Sequence, residues 1–577
     1  MDKIKIMNEF NRWRNNVFSD PDLIEELQSI ANSYDEISDR FYKNLEFGTA
    51  GMRGELGVGT NRMNVYVVGK VTQALSQYLQ TLRANSTVVI GYDNRIKSRL
   101  FAKISAEILA ANGIKVKIFK TLKPVPLLSY AVRFLKCDGG VMITASHNPA
   151  EYNGYKIFGA DGCQIIQNVV DVICKFLDEI DIFSDVKRVD FDKGLSSGLI
   201  SYCDDEIEQN FLICVENSLM QSQILYSSDL NLVYTPLNGT GLEPVERMMK
   251  KFKIEGFHVV EAQKDPDGNF STCKSPNPEN FAAFEQALIE CEKHQPDIVI
   301  ATDPDCDRIG VMVRSVDLAS TYKLLNGNQL GVLMLNYLCL QRLNLKKMPF
   351  KPLMIKTIVS TPMADYIAKY YGVNCENVLT GFKYIGAKIN NLAELGEQDR
   401  FIFGFEESQG YLAGSYVRDK DGVFAAMLIC EMVVFYKLQG KTLIDVLNDL
   451  YVKFGFFKSE VRSYEFKGAD GTDKMASIMD KFRNFSIKNI GEFKIIEKLD
   501  YLISKKINLL TGNESVINLP KSNVLEFNLD FDFKIVVRIS GTEPMIKVYY
   551  HVKGHDAIEA AELIQNLQDN FSKFMEA

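Results

Sequence analysis

Nowhere in the 577 residues does a run approach the roughly 18 to 20 uncharged apolar residues of a membrane-crossing helix. The opening stretch, MDKIKIMNEFNRWRNNVFSD, lacks the apolar h-region of a secretory signal. CxxC pairs are missing too, and the eleven cysteines, scattered from Cys137 to Cys430, are odd in number. That usage argues against a zinc or disulfide framework and for reduced, buried thiols. Positive charge is in deficit: 66 Lys and Arg stand against 74 Asp and Glu, a formal net charge of -8. An acidic chain lacks the broad basic footprint of a nucleic-acid binder, although a locally basic cleft can still take an anionic metabolite. These absences predict a cytoplasmic protein with small-molecule partners, no nucleic acid and no membrane; they say nothing of oligomeric state.

Hydrophobic content of 46% and charged content of 24% are those of a soluble globular protein. The length is too great for one core and corresponds to about three to five domains. Residues 1–45 set Phe10, Trp13, Val17, Leu23, Leu27 and Ile30 at helical spacing, which predicts an N-terminal helical arm. A turn-rich stretch, FGTAGMRGELGVGTNRMN, occupies 47–64. The pattern then predicts a helix over 68–82, a strand over 87–91, a helix over 100–112 and a strand over 115–119. That is βαβ grammar, short Val/Ile strands joined by amphipathic crossovers. It returns with strands at 232–234, 258–261 and 297–301 and helices at 241–251 and 278–294. It returns again with strands at 354–358, 377–379 and 401–405 around a helix at 363–371. No repeat of fixed period links the three units. From about 455 the chain is Lys-rich and less regular, ending in strands near 535–539 and 546–552 and a helix over 557–574.

Four loops carry candidate chemistry. In GVMITASHNPAEYNGYKIF, 140–158, an apolar strand delivers Ser146 to the edge where α/β folds place their sites. Ser146 beside His147 suits a nucleophile and its base; Ser, Asn and Pro equally suit a plain turn. A hydrolase elbow is disfavoured, since G-x-S-x-G is absent. In IVIATDPDCDRIGV, 298–311, a strand leads into Asp303, Asp305 and Asp307, and alternate residues of extended chain project to one side. Three hard carboxylates suit Mg2+, and they repel one another without a cation. An EF-hand fails, because its sixth position would be Arg308 and its twelfth Arg314. In FIFGFEESQGYLAGSYVRDKDG, 401–422, Glu406, Glu407 and Ser408 suit sugar hydroxyls, and Arg418 and Lys420 suit phosphate; solvated loop charges are the plain alternative. In FKIVVRISGTEPMIKVYY, 533–550, Ser540, Gly541 and Thr542 with Arg538 and Lys547 form either a phosphate-cradling nest or a hairpin turn.

Taken in order, FGTAGMRG, GYDNR, TASHNPAEYNGYK, VYTPLNGTG, KSPNPE, DPDCDR, LNGNQ, TGFKYIG, GFEES, VRDKDG and RISGTEP span nearly the whole chain. They resemble the signature of the α-D-phosphohexomutase superfamily, the phosphoglucomutases and phosphomannomutases. The GTAGMRG and TGFKYIG forms look most like its phosphoglucomutase/phosphopentomutase branch. The resemblance implies an α/β fold of four domains around a central cleft, three mixed α/β modules and a C-terminal TATA-binding-protein-like α+β domain. The expected divisions are an arm at 1–45, a phosphoserine domain at 46–205, a metal-binding domain at 206–320, a sugar-binding domain at 321–450 and a phosphate-binding domain at 451–577.

By the same resemblance Ser146 is the phosphoserine, and it shares Mg2+ with Asp303, Asp305 and Asp307. Arg53, His147, Lys156, Arg308 and Lys420 are positive or proton-handling positions near the reacting phosphate. Glu406 and Ser408, with Thr380 and Gly381 of TGFKYIG, match sugar-binding positions. Arg538, Ser540, Gly541 and Thr542 match the loop for the non-reacting phosphate. The implied activity is interconversion of glucose 1-phosphate and glucose 6-phosphate, with glucose 1,6-bisphosphate as intermediate and activator. Phosphomannomutase, phosphopentomutase and glucose-1,6-bisphosphate synthase are the alternatives. Asn238 stands where many relatives have His, and Ile539 and Met545 replace a common Pro and Lys, so sugar preference stays open.

Overall fold

The structure, a computed structural model, describes residues 3–48, 51–315, 322–466, 471–484, 487–540 and 545–576. It has mixed α/β architecture with four sheet-containing domains, grouped in two compact units. One unit is Met1–Met312 with Ser415–Glu431, the other Val313–Gly414 with Met432–Ala577.

In the first unit the N-terminal arm is three helices, Lys3–Asn16, Pro21–Ser29 and Tyr34–Phe41. Asp20 caps the second, accepting from the Leu23 N–H, with Pro21 at the position where a missing N–H costs nothing. Ser33 caps the third by accepting from Glu36 N. Trp13 meets Phe41, Tyr66 and Phe183 edge-on, so the arm shares one apolar core with the sheet that follows.

That sheet runs in the order Phe47–Gly48, Gly51–Glu55, Tyr152–Gly159, Gly139–Ile143, Thr87–Tyr92, Lys115–Ile118, Ile200–Tyr202. Thr87–Tyr92 is parallel to Gly139–Ile143 and to Lys115–Ile118, as the βαβ reading requires. The turn-rich 47–64 stretch differs from expectation in holding the two strands at one end of the sheet. Gly51 permits this: its φ is +82°, and a Cβ there would lie 2.3 Å from the Tyr155 carbonyl oxygen. Helix Val65–Leu82 starts at Asn64, whose side chain accepts from the N–H groups of Tyr66 and Val67. It buries Val68, Val71, Leu75 and Leu79 at helical spacing.

The second sheet passes through Ile309–Arg314, Ile298–Thr302, Asn231–Thr235 and Gly256–Val259. Ile298–Thr302 is parallel to Asn231–Thr235 and buried along its whole length. The helix expected over 278–294 begins later, as a 3-10 turn at Phe281–Phe284 and then Glu285–His294. Asn277 is the reason: its side-chain oxygen accepts from Glu279 N at 3.0 Å, an Asx turn that competes with helix.

In the second unit a four-stranded sheet is ordered Asn374–Val378, Leu353–Thr357, Phe401–Glu406, Gly410–Leu412. The first three strands are parallel and the last returns antiparallel. The Lys-rich C-terminal segment is an antiparallel sheet ordered Phe456–Glu465, Met545–Gly554, Lys534–Ile539, Val524–Leu529, Phe493–Asp500, Lys505–Asn508, Glu514–Val516. Helices Gly471–Asn484 and Ala557–Glu576 cover it through Met475, Met479, Phe482, Ile564, Leu567 and Phe571. Among the described residues no helix is long and apolar enough to cross a membrane.

Candidate active site

Strand Gly139–Ile143 ends three residues before Ser146, which is 1% exposed and takes a left-handed φ of 55°. A non-glycine residue in that region is strained and needs its surroundings to hold it. Arg95 does the holding. Its buried guanidinium donates to the carbonyls of Ser146 at 2.6 Å, Pro149 at 2.7 Å and Tyr152 at 2.9 Å, and also to that of Asn148. Asp93 pairs with Arg95 at 3.4 Å. Thr144 Oγ1 accepts from Ser146 N at 2.8 Å and donates to Asp305 at 3.1 Å.

With its backbone fixed, Ser146 Oγ donates to Asp303 Oδ2 at 2.6 Å and lies 3.2 Å from His147 Nδ1. The three aspartates converge by a different route from the one expected. Residues 303–307 curl into a turn, with Cys306 at φ 52° and its N–H donating to the Asp303 carbonyl at 2.8 Å. Asp303 Oδ1 accepts from the N–H groups of Asp307 and Arg308 at 3.1 and 2.9 Å, which draws the carboxylates inward. One oxygen of each lies within 4.8 Å of the others.

Cations ring the cluster. Lys156 Nζ is 2.8 Å from Asp305 and 3.4 Å from Asp307; Lys420 Nζ is 2.8 Å from Asp307. Arg308 Nε lies 3.9 Å from Asp307 while its Nη1 reaches Glu279 at 2.9 Å. Arg53 donates to the Asn148 side chain at 3.1 Å. Burial, then the neighbouring Asp305 and Asp307, hold the Asp303 carboxyl well above its ordinary range. Burial and then Asp307 would also raise Asp305, but the charge of Lys156 together with hydrogen bonds to Asp303 and Lys156 lowers it. Asp307 is lowered against its burial by Lys420, then Lys156 and Arg308. Burial, then the charges of Arg308 and Arg53, depress His147 well below its ordinary value, so its ring is neutral at pH 7. Among the described residues Asp305 Oδ1 and Asp307 Oδ1 are buried without a hydrogen-bond partner, the donor set a hard divalent cation would take.

A second cluster lies in the other unit. Glu406, at the end of strand Phe401–Glu406, accepts from Gly381 N at 2.8 Å. Gly381 has φ +118°, a conformation suited to glycine, and the Thr380 hydroxyl beside it is buried without a hydrogen-bond partner among the described residues. Burial lowers Lys383 to about 8, against the opposing charge of Glu406. Burial, then Glu406, raises Glu407 to about 7, and Thr357 donates to its carboxylate at 3.0 Å. Ser408 is half-buried in the turn before Gly410–Leu412. Arg538 is the penultimate residue of strand Lys534–Ile539 and donates to Tyr549 Oη from Nη2 at 3.0 Å and Nε at 3.3 Å. Ser540 N donates to the Met545 carbonyl at 2.8 Å, so the hairpin reading of this segment holds as geometry; Gly541 and Thr542 lie outside the described residues.

Residues 44–182, 210–316 and 326–454 match the alpha/beta/alpha domains I, II and III of phosphoglucomutase/phosphomannomutase, which is more than half of the chain. The chain belongs to the phosphoglucomutase/phosphomannomutase family. Phosphoglucomutase of Staphylococcus aureus strain MRSA252 is 38% identical over 525 residues, 91% of this chain and 92% of that one. The same enzyme of strain bovine RF122 / ET3-1 is 38% identical over 530 residues, 92% of this chain and 93% of that one. Among solved structures, the exocytosis-sensitive phosphoprotein parafusin, a phosphoglucomutase of Paramecium, shares the fold with a TM-score of 0.68 at 19% identity, covering 93% of this chain and 95% of that one. A phosphoglucomutase/phosphomannomutase family protein of Burkholderia thailandensis does so with a TM-score of 0.65 at 17% identity, covering 92% and 96%.

In this family member Ser146, His147, Lys156, Arg53, Asp303, Asp305, Asp307, Arg308 and Lys420 gather in one place, whereas Thr380, Gly381, Glu406 and Arg538 gather in another. The 401–422 segment is divided: Glu406 and Ser408 lie in the second unit, Lys420 in the first. Arg418, read above as a phosphate cation, instead donates to the carbonyls of Ser415 at 2.5 Å and Val417 at 3.1 Å, and is buried. It shapes its own loop. Arg95, Lys383 and Tyr549 drew no role from the sequence, although GYDNR and TGFKYIG had marked two of them. Asn238, one of the noted departures, has φ 58°, a conformation asparagine tolerates, and donates to the Asp265 carbonyl at 2.8 Å.

Proposed function

We propose that this protein is a phosphoglucomutase that relays a phosphoryl group through Ser146, interconverting glucose 1-phosphate and glucose 6-phosphate. The observation that carries this is Ser146 Oγ, held in strained backbone 2.6 Å from Asp303 at the rim of a buried triple-aspartate cluster. The relatives named phosphoglucomutase support glucose as the sugar. Asp303, Asp305 and Asp307 with a phosphoserine oxygen would hold Mg2+, which supplies charge neutralisation at the transferring phosphoryl oxygens. Lys156, Lys420 and Arg308 already balance the three carboxylates, so a dication and a phosphoserine dianion would enter as a matched pair.

The remaining work falls to the chain's own residues. A free sugar hydroxyl attacks phosphorus as the bond to Ser146 Oγ breaks, and the neutral ring of His147, or Lys156 once in its amine form, takes the hydroxyl proton. Lys420, Arg308 and Arg53 face the oxygens where charge shifts in a loose transition state. The product of this half-reaction is glucose 1,6-bisphosphate, and return of its other phosphoryl to Ser146 completes the exchange. Glu406 and Ser408, with Thr380 and Gly381, bind sugar hydroxyls; Arg538, Ser540, Gly541 and Thr542 hold the phosphate that is not reacting. The domain divisions at 46–205, 206–320, 321–450 and 451–577, and a cytoplasmic location, belong to the same reading.

Intact-mass spectrometry of the protein after incubation with glucose 1,6-bisphosphate should place a phosphoryl group on the Ser146 peptide. Ser146→Ala should lack it and lose mutase turnover; near-wild-type turnover in that variant would end the proposal. Parallel kcat/KM values for glucose, mannose, ribose and deoxyribose phosphates test the choice of sugar.

A further inference from the structure

Arg538 is the cation assigned above to the non-reacting phosphate, and its aim is set within its own unit. A guanidinium is a planar fork whose N–H groups point in fixed directions, so what one edge bonds decides where the other edge faces. Here one edge, Nε and Nη2, converges on a single oxygen, Tyr549 Oη, at 3.3 and 3.0 Å. The same guanidinium lies 5.6 Å from the Tyr549 ring centroid, so ring and hydroxyl both engage it. Among donors and acceptors of this kind a phenol is unusually stiff, because only two torsions separate its oxygen from the backbone.

Tyr549 is itself well anchored. It is 5% exposed and packs in a cluster with Ile358, Val359, Leu379, Tyr501, Val524 and Val536. Ile358 follows strand Leu353–Thr357, and Leu379 immediately precedes Thr380 and Gly381. One apolar core thus carries both the ring that meets Arg538 and the backbone that presents the sugar-binding turn. Strand pairing adds to this: Val536 is directly opposite Tyr549, and Arg538 opposite Lys547, on adjacent strands Lys534–Ile539 and Met545–Gly554.

We infer that Tyr549 is the positioning residue for Arg538, turning the free edge of its guanidinium toward the substrate phosphate and fixing it relative to the Thr380–Gly381 turn. The inference rests on the reading of Arg538 as a phosphate-holding residue. It assigns Tyr549 no contact with substrate. Burial would weaken the Arg538 charge, but Tyr549 and then Glu407 and Glu406 more than offset this, so the group being aimed is a full cation.

Tyr549→Phe removes the hydroxyl and keeps the ring in its cluster, so the melting temperature should stay within a few degrees of wild type. KM for glucose 1-phosphate should rise about tenfold, the size of one hydrogen bond to a charged group, with kcat changed less than about twofold. Arg538→Ala should raise KM at least as much, and the Tyr549→Phe/Arg538→Ala double variant should match Arg538→Ala alone, because a positioning residue has nothing left to position. All variants are assayed well below their melting midpoints, so a loss of stability cannot stand in for the effect. An unchanged KM in Tyr549→Phe beside a raised KM in Arg538→Ala overturns the role of Tyr549 and leaves the phosphate reading of Arg538 intact. A further tenfold rise when Tyr549→Phe is added to Arg538→Ala also overturns it, since the tyrosine would then act independently. No KM change in either single variant overturns the phosphate reading itself, and the positioning role with it.

Discussion

Three carboxylates packed to 0–1% exposure within 4.8 Å of one another can persist only where cations surround them, and Lys156, Lys420 and Arg308 do. Asp305 Oδ1 and Asp307 Oδ1, without a hydrogen-bond partner among the described residues, and Asp303, which accepts from Ser146 Oγ, are the reason to expect the three aspartates to matter for metal rather than for packing. Asn at position 303, 305 or 307 keeps the volume and removes one charge from the donor set. Turnover should fall about a hundredfold or more, several kcal/mol of lost charge stabilisation, and EDTA should abolish it in the wild type. Full turnover in EDTA would assign the cluster to folding alone. These aspartates and Ser146 were legible in the sequence because each sits within a few residues of the end of an apolar strand. Arg95 was not: it acts by donating to carbonyls 51 to 57 positions away, which only the fold brings to it. Arg418 misled for the converse reason, since a buried arginine that ties its own loop has the same local sequence as one that binds an anion.

At the level of elements, the turn from Phe401–Glu406 to Gly410–Leu412 sets two adjacent glutamates in unlike surroundings. Glu406 accepts a backbone N–H from Gly381, whereas Glu407 is raised to about 7 by burial and then by Glu406. A carboxyl whose folded value exceeds its unfolded value of 4.5 keeps its proton longer in the folded state. Between pH 4.5 and about 7 the folded protein therefore binds more protons than the unfolded one, and stability falls as pH rises through that window. Melting of the wild type should drop between pH 5 and 8 relative to Glu407→Gln, whose profile should be flatter there. Parallel profiles for the two proteins would show that Glu407 ionises normally. The alternation of Glu406, Glu407 and Ser408 after an apolar strand was readable as a loop with chemistry. Which glutamate keeps its charge was not, because that depends on Thr357 in the neighbouring strand and on Gly381 in the turn before helix Phe382–Glu394. The βαβ strands were readable to within a few residues; the C-terminal antiparallel sheet was less so, because half-exposed, Lys-rich strands carry no continuous apolar run.

Across the whole chain, the candidate chemistry is divided between the two compact units: Ser146, Lys156, the three aspartates and Lys420 in one, Glu406, Tyr549 and Arg538 in the other. If the first group transfers the phosphoryl and the second only holds the sugar phosphate, their substitutions should sort by kinetic constant. A residue that grips ground state and transition state alike changes KM, and one that acts as charge moves changes kcat. Arg538→Ala should therefore raise KM for glucose 1-phosphate with a modest fall in kcat. Because the bisphosphate must be gripped again after each half-reaction, the same variant should release more of it and depend more strongly on added glucose 1,6-bisphosphate. Lys156→Ala, whose amine lies 2.8 Å from Asp305 beside Ser146, should lower kcat with little change in KM. Steady-state kinetics at several bisphosphate concentrations separate the two patterns. If Arg538→Ala cut kcat alone and left KM untouched, the second unit would have to take part in the chemical step, and the division of labour would fail.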